Sequence, residues 1–154
     1  MRKILLFSLT IATLWAAGCT SEEGKLKKQA ISTGELRLQQ LIQQEALDGM
    51  PQSSELRQGY QDFIMARSEV VTDEPEIIGG SAVVSVAAMI PPVKLRKTLI
   101  AIAGKLDSSK ARRFNFGEAV SLIKRQTGED TENTKQGLGI VKFVKQGEAW
   151  VQSE

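Results

Sequence analysis

Histidine is absent from this 154-residue chain and cysteine occurs once. Without histidine, neither the Ser-His-Asp and Cys-His nucleophile systems nor the imidazole ligands of most zinc enzymes can be assembled. One cysteine cannot close an intrachain disulfide, so whatever folds here does so without a covalent staple. Phosphate-cradling glycine loops are missing as well. Gly79-Gly80 lacks the following Gly-Lys-Ser/Thr, and Gly137-Leu138-Gly139 opens a strand pattern rather than a helix, which excludes the dinucleotide fingerprint. What remains is ordinary: 42% hydrophobic and 25% charged residues suit one globular domain.

The N-terminus is an address. Met1-Arg2-Lys3 gives a basic start, and Ile4 to Ala17 is an uncharged run of 14 residues, short of the roughly 20 that a spanning helix needs. Small residues and then Cys19 follow. Ala16-Ala17-Gly18-Cys19 resembles the lipobox of bacterial lipoprotein precursors. That resemblance implies a signal peptide over 1–18, a diacylglyceryl group on the Cys19 thiol, cleavage before Cys19 and acylation of the new amine. Several acyl chains hold a protein on a bilayer far more firmly than one. Thr20, not Asp, would be the second mature residue, which in the family's sorting rule implies the periplasmic face of the outer membrane.

Residues 19–31 are mostly polar and charged, the composition of a flexible lipidated tether. Ser32-Thr33-Gly34-Glu35 matches a capping box, with Ile31 and Leu36 as its hydrophobic staple, so the first firm helix is expected near Thr33, ending at Asp48-Gly49. A second helix fits Ser54 to Ser68 behind the N-cap Ser53, with Leu56, Tyr60, Phe63 and Ile64 on one face. Glu69 to Ile78 and Ser81 to Ile90 read as strands joined at Gly79-Gly80, where a tight hairpin turn needs positive φ. Pro75 marks an edge or bulge, and Pro91-Pro92 ends the second strand. Val93 to Leu106 has helical spacing at Leu95, Leu99, Ile102 and Leu106, although Val93 to Arg96 alternates like a strand; helix is the expectation. Asn115 caps a helix over Phe116 to Arg125, Thr127 to Gln136 is a polar loop, and Gly137 to Gln152 forms a hairpin with Trp150 packed across it.

Helices first and antiparallel strands later describe a single α+β domain over 32–154, with N-terminal helices packed on a small antiparallel sheet. The terminal strand pattern, with its Gly-Glu-x-Trp ending, resembles cystatin-like and nuclear-transport-factor-like folds.

Charge is unevenly placed. Once the first 18 residues are set aside the chain is formally neutral, yet Lys94, Arg96, Lys97, Lys105, Lys110, Arg112, Arg113, Lys124 and Arg125 face only Asp107 and Glu118 in their own segment. This segment is the candidate surface for an anionic envelope component: lipid head groups, lipopolysaccharide phosphates or peptidoglycan carboxylates. The competing reading pairs these charges with the acidic flanks or leaves them solvated. Nucleic acid is not expected, since export removes the target and aromatic interleaving is limited to Phe114 and Phe116. Glu129 to Asn133 clusters oxygen ligands without the EF-hand pattern, so no metal site is expected. Ser108-Ser109-Lys110 and Ser121 to Lys124 place Ser near Lys without the further partners a Ser-Lys catalyst requires.

The expectation is therefore a lipid-anchored envelope protein acting as a non-catalytic binding or assembly component, with no cofactor. Its alternatives are an envelope-polymer hydrolase working through paired carboxylates, and an inhibitor or immunity-type lipoprotein that grips a protein partner.

Overall fold

A computed structural model of the chain describes residues 21–153. The expected signal peptide over 1–18 and Cys19 lie outside the described residues. Over the described residues the fold is α+β, with five helices and one antiparallel sheet. No helix among the described residues is long and apolar enough to cross a membrane.

Helix α1 spans Glu22–Gly49 and corrects the expected tether and the expected start at Thr33. Its N-cap is Ser21, whose hydroxyl accepts from the Gly24 N–H at 3.1 Å, with Glu22 and Glu23 in the first turn where the dipole favours them. The capping-box residues at 32–35 are mid-helix instead: Ser32 and Thr33 turn their hydroxyls back to the carbonyls of Lys28 and Gln29. The reason is burial. Leu26, Ala30, Gly34, Leu38, Ile42 and Ala46 repeat every four residues and are all buried, so one stripe runs unbroken through the polar-looking segment.

That stripe lies on the sheet and then on the other helices. Leu26 and Ala30 pack with Ala82, Val84, Val141, Phe143 and Trp150. At Gly34 the backbone comes so close that a Cβ would stand 2.4 Å from Val86 Cγ1 and 2.7 Å from Val70 Cγ1. Leu38, Ile42 and Ala46 join a second cluster with Leu56, Tyr60, Ile64, Leu95 and Leu99.

Helix α2 covers Ser54–Met65 with Ser53 as its N-cap, as the sequence indicates. The first strand region divides at Pro75 into β1 (Glu69–Thr72) and β2 (Glu76–Ile78), both on the same edge of β3 (Ser81–Ile90). The Gly79-Gly80 turn joins β2 to β3, but only Gly79 takes positive φ, at 59°. The rest of the sheet is β4 (Thr134–Gln146) and β5 (Ala149–Ser153), in the order β1-β3-β4-β5, with β2 following β1 along the same edge of β3. β4 starts earlier than its glycines suggest, because Thr134 to Gln136 pair with Ile90 to Ala88. The register shifts between Val86 and Ala87, leaving Leu138 unpaired, and Arg37 of α1 donates to the carbonyls of Leu138 (3.2 Å) and Ile140 (2.9 Å) on either side of Gly139.

Between β3 and β4 the chain is helical: α3 (Val93–Ala103), a short α4 (Ser108–Ala111) and α5 (Phe116–Thr127). The helical expectation for 93–106 holds, and this segment departs from the cystatin-like pattern, which would carry more strands here. Asn115 caps α5 by accepting from Gly117 and Glu118, and Phe116 locks α5 to α2 through rings 5.7 Å from Tyr60 and 5.9 Å from Phe63.

Candidate functional site

The nine basic residues of the central segment do not form one face. Arg96 is 2% exposed and leaves the surface set altogether. It sits in the first turn of α3, whose fold against α1 points it inward. Its guanidinium forks onto the Glu45 carboxylate, Nε to Oε2 at 3.1 Å and Nη2 to Oε1 at 2.9 Å. It donates further to Gln136 Oε1 (2.9 Å) and the Pro91 carbonyl (2.6 Å). Tyr60 adds its hydroxyl to Glu45 at 2.9 Å. Burial, and then the Glu45 charge, push the Tyr60 phenol well above its usual range, so it stays a donor. The network ties α1, α2, α3 and β4 together with its charge compensated, and it is structural.

Three more of the nine have partners. Lys94 pairs with Glu129, Lys110 with Asp107 at 3.5 Å, and Arg112 with Glu55 at 4.0 Å. Asp107 is the N-cap of α4, and hydrogen bonds from Ser109 and the Lys110 N–H hold its carboxyl below the usual range. Lys97, Lys105, Arg113, Lys124 and Arg125 are exposed and make no ion pair among the described residues.

Two of those five frame a groove of about 410 Å³ between α3 and α5. Glu118, Ala119, Leu122, Ile123 and Gln126 recur on one face of α5, so the helical period alone delivers them to the same trough. Ile102 of α3 and Phe114 complete the apolar lining, with Ile102 37% and Leu122 46% exposed. Arg113 and Arg125 stand in its wall, with Glu118 the one carboxylate among these lining residues. An apolar trough with two guanidinium groups offers burial for a hydrocarbon part and forked donors for a carboxylate or phosphate.

A larger hollow, about 690 Å³, lies between α1, the end of α2 and β1, and contains none of the nine. Glu35 and Glu69 share its lining. Both are exposed, and no hydrogen bond or ion pair among the described residues fixes either one.

The remaining sequence candidates are spent on structure. Ser109 Oγ bonds Asp107, and Ser121 Oγ bonds the Gly117 carbonyl, so neither faces a lysine base. Among the described residues no three carboxylates gather as a metal would require; in the acidic loop Glu129 takes Lys94 and Asp130 caps the Glu132 N–H. Sequence reasoning missed Glu45 and Arg37. Glu45 had a signal: it falls three residues after Ile42, on the edge of the buried stripe of α1, where an unpartnered carboxylate would be costly. Arg37 had none, since the bulge it serves is set by pairing between distant strands. Comparison with protein families, with curated proteins and with solved structures found no match to this chain.

Proposed function

We propose that this chain is a lipid-anchored component of the cell envelope, held at the periplasmic face of the outer membrane through Cys19, that binds rather than catalyses. Its ligand is an anionic envelope molecule with an apolar part, seated between α3 and α5. The observation that supports the binding role is the trough of Ile102, Phe114, Leu122 and Ile123 walled by Arg113 and Arg125. The location rests on the lipobox-like Ala16-Ala17-Gly18-Cys19. The test is a titration with a short-chain phosphatidylglycerol below its micelle concentration, against short-chain phosphatidylcholine. The anionic lipid is expected to bind preferentially. An Arg113→Ser/Arg125→Ser variant should bind it at least about tenfold more weakly, the loss of roughly one charge-assisted hydrogen bond's net worth. Equal affinity for both lipids, or an unaffected variant, would contradict the reading.

A carboxylate hydrolase is the second reading, favoured by Glu35 and Glu69 sharing one hollow. It ranks below the first because catalytic carboxylates need fixed positions and contrasting environments, and both of these are exposed and unanchored among the described residues. It expects the protein to clear a cell-wall suspension and Glu35→Gln or Glu69→Gln to abolish the clearing. No clearing by the unmodified protein sets it aside.

A further inference from the structure

One end of the molecule gathers features that no binding groove uses. Ser21 caps α1 there, and only Thr20 stands between it and Cys19, a reach of at most about 7 Å of extended chain. Glu22 meets Lys145 at 2.8 Å, and the Lys145 N–H donates to the Gly80 carbonyl at 2.8 Å, so the start of α1, the β2–β3 turn and the β4–β5 turn lie side by side. Across this end of the sheet the register pairs Ile78 with Ser81, Ser81 with Val144, and Val144 with Val151. Directly opposed residues share a face, so Ile78, Val144 and Val151 form a mostly apolar row with Ser81 between the first two, on the side turned away from α1 because their neighbours Ala82 and Phe143 pack with Leu26. The row is uncovered: Ile78 is 80% exposed and Val151 41%. Gly79 and Gly80 make the β2–β3 turn beside Ile78, and Gln146, Gly147 and Glu148 make the β4–β5 turn beside Val144.

We propose that this row rests on the bilayer that carries the acyl chains, as a second, non-covalent membrane contact that fixes the domain's orientation. The inference depends on the lipid-anchor reading and goes beyond it. A flexible tether would let the domain turn freely, whereas α1 begins within three residues of Cys19 and is packed to the sheet from Leu26 onward. The lipid therefore enters at this end, and the residues beside it meet the membrane surface. The occupant is the apolar margin of the bilayer rather than its charge, because Lys145 is already paired with Glu22, and the next row on this face holds both Glu76 and Lys142, of opposite charge. The far end of α1, near which the α3–α5 groove lies, is then the end of the molecule farthest from the anchor.

The lipidated protein has no free thiol once Cys19 is thioether-linked, so a substituted cysteine takes a fluorophore selectively. Ile78→Cys and Leu47→Cys, both at exposed positions, would be labelled with an environment-sensitive dye. Each protein is then reconstituted in phosphatidylethanolamine–phosphatidylglycerol vesicles containing nitroxide-bearing lipid. Leu47 lies 25 residues beyond Glu22, roughly 37 Å along α1 at 1.5 Å per residue, and serves as the distant reference. The row on the bilayer gives at least about twofold quenching at position 78 and none at position 47. Absent quenching at both sites, or equal quenching at both, on protein that incorporates labelled palmitate, overturns the orientation and leaves the lipid anchor standing. Protein that incorporates no palmitate overturns both.

Discussion

Arg96 is the one charged side chain buried among the described residues. Its guanidinium is buried, Glu45 keeps only a quarter of its side chain in solvent, and four hydrogen bonds end on the arginine. Arg96→Met leaves Glu45 with the Tyr60 hydroxyl alone, and is expected to cost about 2–4 kcal/mol in urea unfolding at neutral pH. Arg96→Met/Glu45→Gln should recover part of that loss, since it removes the stranded charge. Tyr60 gives the same network a pH signature. The folded chain keeps the phenolic proton where the unfolded chain, titrating near 10, has lost it. Unfolding above about pH 10 therefore releases a proton, and stability falls as pH rises. Tyr60→Phe should flatten that alkaline limb in denaturation curves collected at successive pH values, while costing about 1 kcal/mol at neutral pH through the lost bond. From sequence, Arg96 was indistinguishable from its neighbours: a run of basic residues says nothing about which one a helix turns inward. Lys97, Lys105, Arg113, Lys124 and Arg125 remain on the surface, and only Arg113 and Arg125 reach the groove.

Among the elements, α1 decides the architecture. Its stripe repeats at four-residue intervals, along the inclined rows by which helices pack, and it leaves little room for side chains where it crosses β3 and β1 at Gly34. The composition of residues 20–30 argued for a tether because Ala30 and Gly34 contribute almost nothing to hydropathy, and Leu26 alone looks incidental. Read as a spacing rather than a composition, the stripe was already legible. The two readings separate cleanly in experiment. Leu26→Ala should destabilise the domain by about 2–4 kcal/mol in chemical denaturation, because Leu26 is fully buried against the sheet. A tether would tolerate the change with no measurable effect. The helices at 54–65 and 116–127 were legible for a different reason: Ser53 and Asn115 cap them in the positions their sequence spacing indicates, and local bonds need no distant partner. The bulge in β4 was not, because register belongs to a pair of strands.

At the scale of the whole molecule, α1 is a rod with unlike ends. At its start, next to Cys19 in the chain, lie two hairpin turns and an uncovered apolar row; near its finish, α2, α3 and α5 enclose the second core. Residues 19–154 carry no net formal charge. In the placement we propose, lipid and apolar contact hold the end beside Cys19, and Arg113 and Arg125 line the groove near the other end. Every part of this account turns on where the chain is held. The most direct measurement is metabolic labelling with palmitate, followed by mass determination of the purified chain, for the wild type and for Cys19→Ser. The account predicts label and an N-terminus at Cys19 in the wild type and neither in the variant. Absent label in the wild type, or equal label in both, would contradict it.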